Sequence, residues 1–406
     1  MSTKHWKILI PIIFAIAIAL GLIARKADPY LQGKKTTLYF QHLPANEDKS
    51  LGDFYTQSQQ LRNTQDQTAS ATFLAAGDIM LSRNVAQAIE NTGKKIQANL
   101  DLPFSNMADI LKSTDFNFAN LESPAAVGSP IVGGHSMIFG AWSGYFQGLS
   151  DFNFKIVNLA NNHAFDQGLK GLEYTIQQLD NFGIKHEGTG DNLDQAWQPA
   201  VVTTSSGLKI CFVGASFSSI NDGGKTTNNY VARIEDTERL KSAITQARSE
   251  CDFVVATMHA GTEYTRTPNK SQTAFAHAAI DDGADIVIGA HPHWVQTLEK
   301  YQGKYIFYSL GNFIFDQEWS QDTKEGLTLK ISISKPGCSP SPPMGEMPEG
   351  QRGCSDQLQG THQPAHLDSI ELLPVIIENY STPRPATDAE AKKVLDKINQ
   401  KEKILK

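Results

Sequence analysis

From Ala71 onward the chain alternates between short apolar runs and polar breaks. Seven runs are of strand length: ATFLAAGD, DFNFANLE, FKIVNLANNH, LKICFVGAS, DFVVATMHAG, ADIVIGAHPH and KYIFYSLGNF. Between several of them apolar residues recur at helical spacing, notably over Leu169 to Phe182, Thr237 to Arg248 and Ser271 to Asp282. Strands alternating with helices predict an α/β architecture. No fixed-period repeat interrupts the pattern.

The flanks read differently. Ile8 to Ala24 is an unbroken apolar run with Lys4 and Lys7 before it and Arg25 and Lys26 after it. It reaches the lower limit of a bilayer span, about 17 to 25 residues. A core helix is the least expected reading, since nothing in the run is polar and a surface helix would show an amphipathic stripe. The small residues Ala17, Ala19 and Gly21 lie inside the run instead of after it, against a cleaved signal peptide. The expectation is therefore an uncleaved anchor over residues 1–26, with the bulk of the chain outside the cytoplasm, although basic residues on both sides leave the orientation weakly specified. Residues 27–70 are polar and lack apolar periodicity, as in a linker or stalk. The main domain is expected over 71–380, with a Pro-rich insertion at 336–366, and a C-terminal helix over 381–406 packing on it.

Composition narrows the function classes. The chain has 406 residues, 40% of them hydrophobic, and a net charge of -7. Without a basic block, a nucleic-acid backbone is not expected as a partner. SINDGGKT, residues 219–226, falls one glycine short of a phosphate-cradling loop and is not followed by a helix start, so a Gly-rich turn is its better reading. Of the four cysteines, Cys338 and Cys354 bracket a Pro/Gly-rich loop that a disulfide would stabilise by on the order of 3 kcal/mol. Cys211 and Cys251 sit in or beside apolar runs and read as buried free thiols.

The polar residues of interest fall where apolar runs stop. Asp78 ends the first run and Glu122 the second; Asn161, Asn162 and His163 end the third, His259 the fifth, His291 and His293 the sixth, and Asn312 the seventh. In α/β sheets, ligands bind beyond the carboxyl ends of strands. On a continuing strand, His291 and His293 would share one face. Carboxylate, amide oxygen and imidazole delivered to one edge suit a hard or borderline divalent cation such as Mn, Fe or Zn. The bland alternatives are polar loop residues for the histidines, helix caps for the carboxylates and a tight turn for Asn161 and Asn162. His163 suits a general acid or a stabiliser of developing charge, or equally a hydrogen bond that orients Asp78 or Glu122. Glu263 is a candidate base or substrate contact. His277, in an apolar helical pattern, reads as structural.

GDIMLSR, NLESP, NLANNHAFDQG, MHAGTEY, GAHPHWVQ and YSLGNFIFD, in that order, resemble the CapA family of capsule or poly-γ-glutamate biosynthesis proteins, whose domain is similar to the calcineurin-like metallophosphoesterases. The resemblance runs from about Ala71 to Asn399. It implies a four-layer α/β/β/α sandwich with one or two divalent metals held by Asp78, Glu122, Asn162, His259, His291 and His293, and Glu122 as the bridging carboxylate. His163 would serve the chemistry, with Asp166 falling three residues after it instead of directly after. Asn161, Asn312 and Asp316 would support these residues from behind. The departure is Met80, where phosphoesterases carry a histidine; a thioether is a poor ligand for a hard metal. The implied function is a membrane-anchored, extracytoplasmic hydrolase or transferase acting on a polyanionic envelope polymer, alongside other subunits of a synthesis complex. The alternatives are a non-catalytic accessory subunit of synthesis or export, and a metal-dependent phosphoesterase.

Overall fold

The computed structural model describes residues 68–91, 100–217, 228–335 and 364–398, all within one compact unit, Arg62–Lys406. The apolar N-terminal run, the polar stalk, the SINDGGKT turn and the Cys338–Cys354 loop lie outside them. Among the described residues, no helix is long and apolar enough to cross a membrane.

The strands are β1 (Ala69–Ile79), β2 (Phe116–Leu121), β3 (Phe154–Asn158), β4 (Lys185–Glu187), β5 (Ala200–Thr203), β6 (Lys209–Ser216) and β7 (Phe253–His259), then β8 (Ile286–Ala290), β9 (Leu298–Tyr301), β10 (Lys304–Phe307), β11 (Asn312–Ile314), β12 (Glu325–Lys335), β13 (His366–Glu378) and β14 (Thr382–Pro385). They form two mixed sheets. The first runs β14-β13-β12-β1-β2-β3-β4, with β11 also beside β1; the second runs β5-β6-β7-β8-β10-β9. The longer helices are α1 (Arg83–Glu90), α2 (Gly168–Asn181), α3 (Thr237–Glu250), α4 (Lys270–Asp281) and α5 (Asp388–Ile398). Thus α2, α3 and α4 fall within two residues of the spans expected from periodicity. The C-terminal expectation needs correcting: Thr382–Pro385 is an edge strand, and the helix begins only at Asp388.

Alternation explains the layers. Phe73 and Ala75 of β1, Phe118 of β2, Phe212 of β6, Val255 of β7 and Ile288 of β8 share one core between the two sheets. Their neighbours point the other way. Leu74 and Ala76 pack outward with Val85 and Ile89 of α1 and Leu179 of α2. Val213, Val254 and Val287 pack outward against Leu240 of α3 and Phe275 of α4. The central strands are therefore covered on both faces, which is why they read as continuous apolar runs.

Cys211 and Cys251 are not free thiols. They form a disulfide with Cα atoms 5.8 Å apart, joining β6 to the residue that follows α3. Parallel pairing of β6 with β7 sets Cys211 opposite Val254, a juxtaposition that a sequence separation of 40 conceals.

Candidate metal centre

The candidate residues do converge, but from two sheets instead of one edge. The carboxyl ends of the parallel strands β1, β2 and β3 carry Asp78, Glu122 and the Asn161–His163 turn, and those of β7 and β8 carry His259, His291 and His293. The facing sheets thus supply carboxylates from one side and imidazoles from the other. Periodicity marks where a strand ends without saying which sheet it joins. Close strand approach at the site depends on Gly77, where a Cβ would lie 1.9 Å from the Gly311 carbonyl oxygen.

His291 and His293 come together by a different route from strand alternation. β8 ends at Ala290, and both histidines have positive φ, 99° and 57°. That is sparsely populated backbone for such residues, of the kind that concentrates at functional sites. Their ring centroids lie 6.1 Å apart, and His291 is 4.8 Å from His259.

Two groups have ligand atoms all within 4.8 Å of one another: Glu122, His259 and His291, and Asp78, Glu122 and His293. Glu122 belongs to both, as a bridging carboxylate would. It is completely buried, yet neither of its oxygens has a hydrogen-bond partner; the Nδ1 atoms of His259 and His291 are likewise buried and unpartnered. Buried polar atoms are normally satisfied, so four unpartnered atoms around one point fit a divalent cation. Burial holds Glu122 well above the usual carboxylate range, with Asp78, Glu263 and Asp166 adding to the effect and Arg83 opposing it. Burial and the neighbouring imidazoles push His259 and His291 well down. Their neutral rings keep the lone pairs a metal requires.

The surrounding residues hold this set in place. Asp78 accepts from the Asn120 amide at 2.8 Å, and Asn120 in turn accepts from Asn158 at 2.9 Å. Asn162 Oδ1 lies 2.7 Å from His259 Nε2. Asn161 donates to the Leu121 carbonyl and accepts from the His163 amide, so it builds the turn. Asn312 Oδ1 is 2.9 Å from His293 Nδ1, and its own amide donates to the Thr323 carbonyl. Met80 lies in the outer apolar core, its sulfur accepting from the Ser82 amide.

His163 and Asp166 form a dyad. Nδ1 of His163 lies 2.6 Å from an Asp166 oxygen that also accepts from the Phe139 amide. With the proton on Nδ1, Nε2 is left facing Glu122, 3.8 Å away. The Phe139 ring stacks on His163 at 3.9 Å and carries the Arg83 guanidinium on its other side at 4.7 Å. Arg83 pairs with Asp316. A cleft of about 470 Å³ opens here, with His163 and His293 toward its floor and Glu263, which is exposed, on its wall. His277 stacks on Tyr301 and contacts Glu299, remote in role from the cleft.

Sequence reasoning passed over Asn120, Asn158, Phe139, Arg83 and the buried Glu187. Asn120 and Asn158 did leave a signal, an amide interrupting an otherwise apolar strand. Phe139 and Arg83 left none, since neither is unusual in its local context.

The family described as bacterial capsule synthesis protein PGA_cap matches residues 72–317. The PGA biosynthesis protein CapA of Bacillus subtilis (strain 168) is 31% identical over 275 residues, covering 67% of this chain and 70% of that protein. The capsule biosynthesis protein CapA of Bacillus anthracis is 28% identical over 276 residues, covering 66% of this chain and 64% of that protein. Among solved structures, the calcineurin-like phosphoesterase YfkN from Bacillus subtilis aligns over 82% of this chain and 98% of its own, with a TM-score of 0.43 and 12% identity.

Proposed function

Because the chain belongs to the PGA_cap family of bacterial capsule synthesis proteins, we propose that it is a metal-dependent hydrolase or transferase acting on poly-γ-glutamate or a related envelope polymer. The observation that carries this reading is Glu122, a buried carboxylate with both oxygens unpartnered, shared by the two candidate ligand groups. A divalent cation held there by Asp78, Glu122, Asn162, His259, His291 and His293 would supply a Lewis acid and lower the pKa of a water. The protein's own part is positional. The Asn120–Asn158 relay fixes the Asp78 carboxylate, and Asn312 fixes the ring of His293. Asp166 keeps the His163 proton on Nδ1 in the resting state, leaving Nε2 directed at the centre. When protonated, Nε2 is placed to donate to a leaving group or to developing negative charge.

Anchoring by residues 1–26 and an extracytoplasmic main domain complete the proposal. Support comes from the flanked apolar run and from the Cys211–Cys251 disulfide, since such bonds persist in oxidising compartments. Met80 favours a second reading, an accessory subunit of polymer synthesis without catalysis, because the cation position beside Asp78 lacks a ligand that the sulfur does not replace. Metal content of the purified chain, followed by cleavage assays on γ-glutamyl oligomers and phosphoesters, separates the two. Bound metal with turnover of either substrate supports catalysis, and the substrate cleaved identifies the bond. Bound metal with no turnover of any substrate favours the accessory role.

A further inference from the structure

The cleft above the candidate metal centre has the wrong charge for the interior of a polyanion. Its only arginine or lysine among the described residues is Arg83, which Asp316 pairs and which Phe139 covers. Two more carboxylates stand on the wall, Glu263 and Glu318, and no described cation pairs with either. They alternate with aromatic rings. Tyr264 accepts from the Gln317 side-chain amide at its hydroxyl, 3.3 Å, and meets the Trp319 ring edge-to-face at 4.7 Å. Glu318 accepts from the backbone of Tyr380. Trp319 is 62% exposed and Tyr380 45% exposed, unusually open for such large rings. Carboxylates interleaved with open aromatic faces are what a protonated amine requires: the rings attract it through their quadrupoles and the carboxylates through charge.

We propose that Glu263, Tyr264, Glu318, Trp319 and Tyr380 form an ammonium subsite, which receives the protonated amine of a substrate whose acyl or phosphoryl group lies at the candidate metal centre. This rests on the function proposed above and specifies which part of the polymer enters. A γ-glutamyl chain carries carboxylates along its length and a single protonated α-amine, at its amino terminus. Interior residues offer only carboxylates to Glu263 and Glu318, whereas the amino-terminal residue carries an ammonium beside its own α-carboxylate, so only there can a cation face the two glutamates. The cleft therefore reads the end of the chain.

The test has two arms, both on the full chain. In the first, tetramethylammonium and its uncharged counterpart tert-butanol are titrated without added metal, following the indole N–H resonance of Trp319, which is assigned by Trp319→Phe. Saturable shifts with the cation alone, lost in the Glu263→Gln/Glu318→Gln double variant, are expected. Equal responses, no response, or shifts that survive the double variant overturn the subsite. This arm is independent of any metal and of the polymer. In the second arm, calorimetry on the metal-loaded chain compares a γ-glutamyl trimer with its N-acetylated form, with a preference of roughly tenfold expected for the free amine. A positive first arm with both trimers bound equally, or neither bound, leaves the ammonium subsite standing and overturns the γ-glutamyl terminus as its occupant.

Discussion

Glu122 and Glu187 are both completely buried, and both belong to the first sheet, one just beyond β2 and the other at the end of β4. Burial raises both, Glu187 to about 8. Their surroundings separate them. Glu187 accepts a hydrogen bond from the Thr257 hydroxyl, and its carboxyl packs against Gly214, where a Cβ would come within 2.8 Å of it. Its other oxygen has no hydrogen-bond partner and no cation pairs with it among the described residues, so it holds a proton. Glu122 faces His259 at 3.6 Å and His163 at 3.8 Å, with Asp78 beside them, and no donor reaches its oxygens. The same desolvation therefore produces a neutral structural acid in one place and a candidate cation position in the other. Neighbouring lone pairs decide which.

The comparison breaks most visibly at Glu122. Glu122→Gln removes the carboxylate shared by both candidate ligand groups, so bound divalent metal per chain should fall. The loss in affinity should exceed the roughly 100-fold typical of losing an outer supporting group. The metal-free variant should nonetheless melt higher than the metal-free wild type, since the cost of burying an ionisable carboxyl has gone. Elemental analysis beside thermal unfolding checks both; unchanged stoichiometry would remove Glu122 from the site.

Glu187→Gln should leave metal content untouched and change the pH dependence of stability. The folded chain holds this proton up to about pH 8, while an ordinary glutamate releases it near 4.5. The folded state binds the extra proton between those values. Stability contributed by the neutral acid is thus full below about 4.5, falls as pH rises and is lost above about 8. The total is on the order of 3–5 kcal/mol. Urea midpoints from pH 5 to pH 9 should decline in the wild type and stay flatter in the variant; parallel curves would assign the dependence elsewhere.

A smaller effect sharpens the contrast between scaffold and site. Replacing both Cys211 and Cys251 with alanine should lower stability by about 2–4 kcal/mol with metal stoichiometry unchanged, because the bridge lies on the outer face of the second sheet. Loss of metal in that variant would show the two regions to be coupled. Smallest in energy, Asp166→Asn should keep the metal and reduce turnover roughly 10- to 100-fold, with the pH profile of turnover shifted. An unchanged profile would make Asp166 a support for the 139–140 backbone and nothing more.

Much of this was legible beforehand. The runs that became β1, β2, β3, β6, β7 and β8 are continuous and apolar because both faces are covered, and each chemistry-bearing residue marks the point where such a run ends. Helices α2, α3 and α4 carry their apolar spacing openly. The short edge strands β4, β5, β9 and β14, of three or four residues, gave no periodic signal. β13 begins inside the expected insertion, at His366, and its first half is largely open to solvent, so no unbroken apolar run announced it.

By itself the sequence determined the order of the central strands and of the helices between them, and the residue types that end those strands. Those properties are local, set by periodicity and by side-chain chemistry. Tertiary structure alone decided that the carboxylates and imidazoles come from two facing sheets, that His291 and His293 meet through left-handed backbone, and that Cys211 finds Cys251. It also made Glu187 a proton holder and Glu122 the carboxylate shared by two candidate ligand groups, because desolvation and Coulomb interactions depend on which atoms lie within a few ångströms, and chain order does not fix that distance.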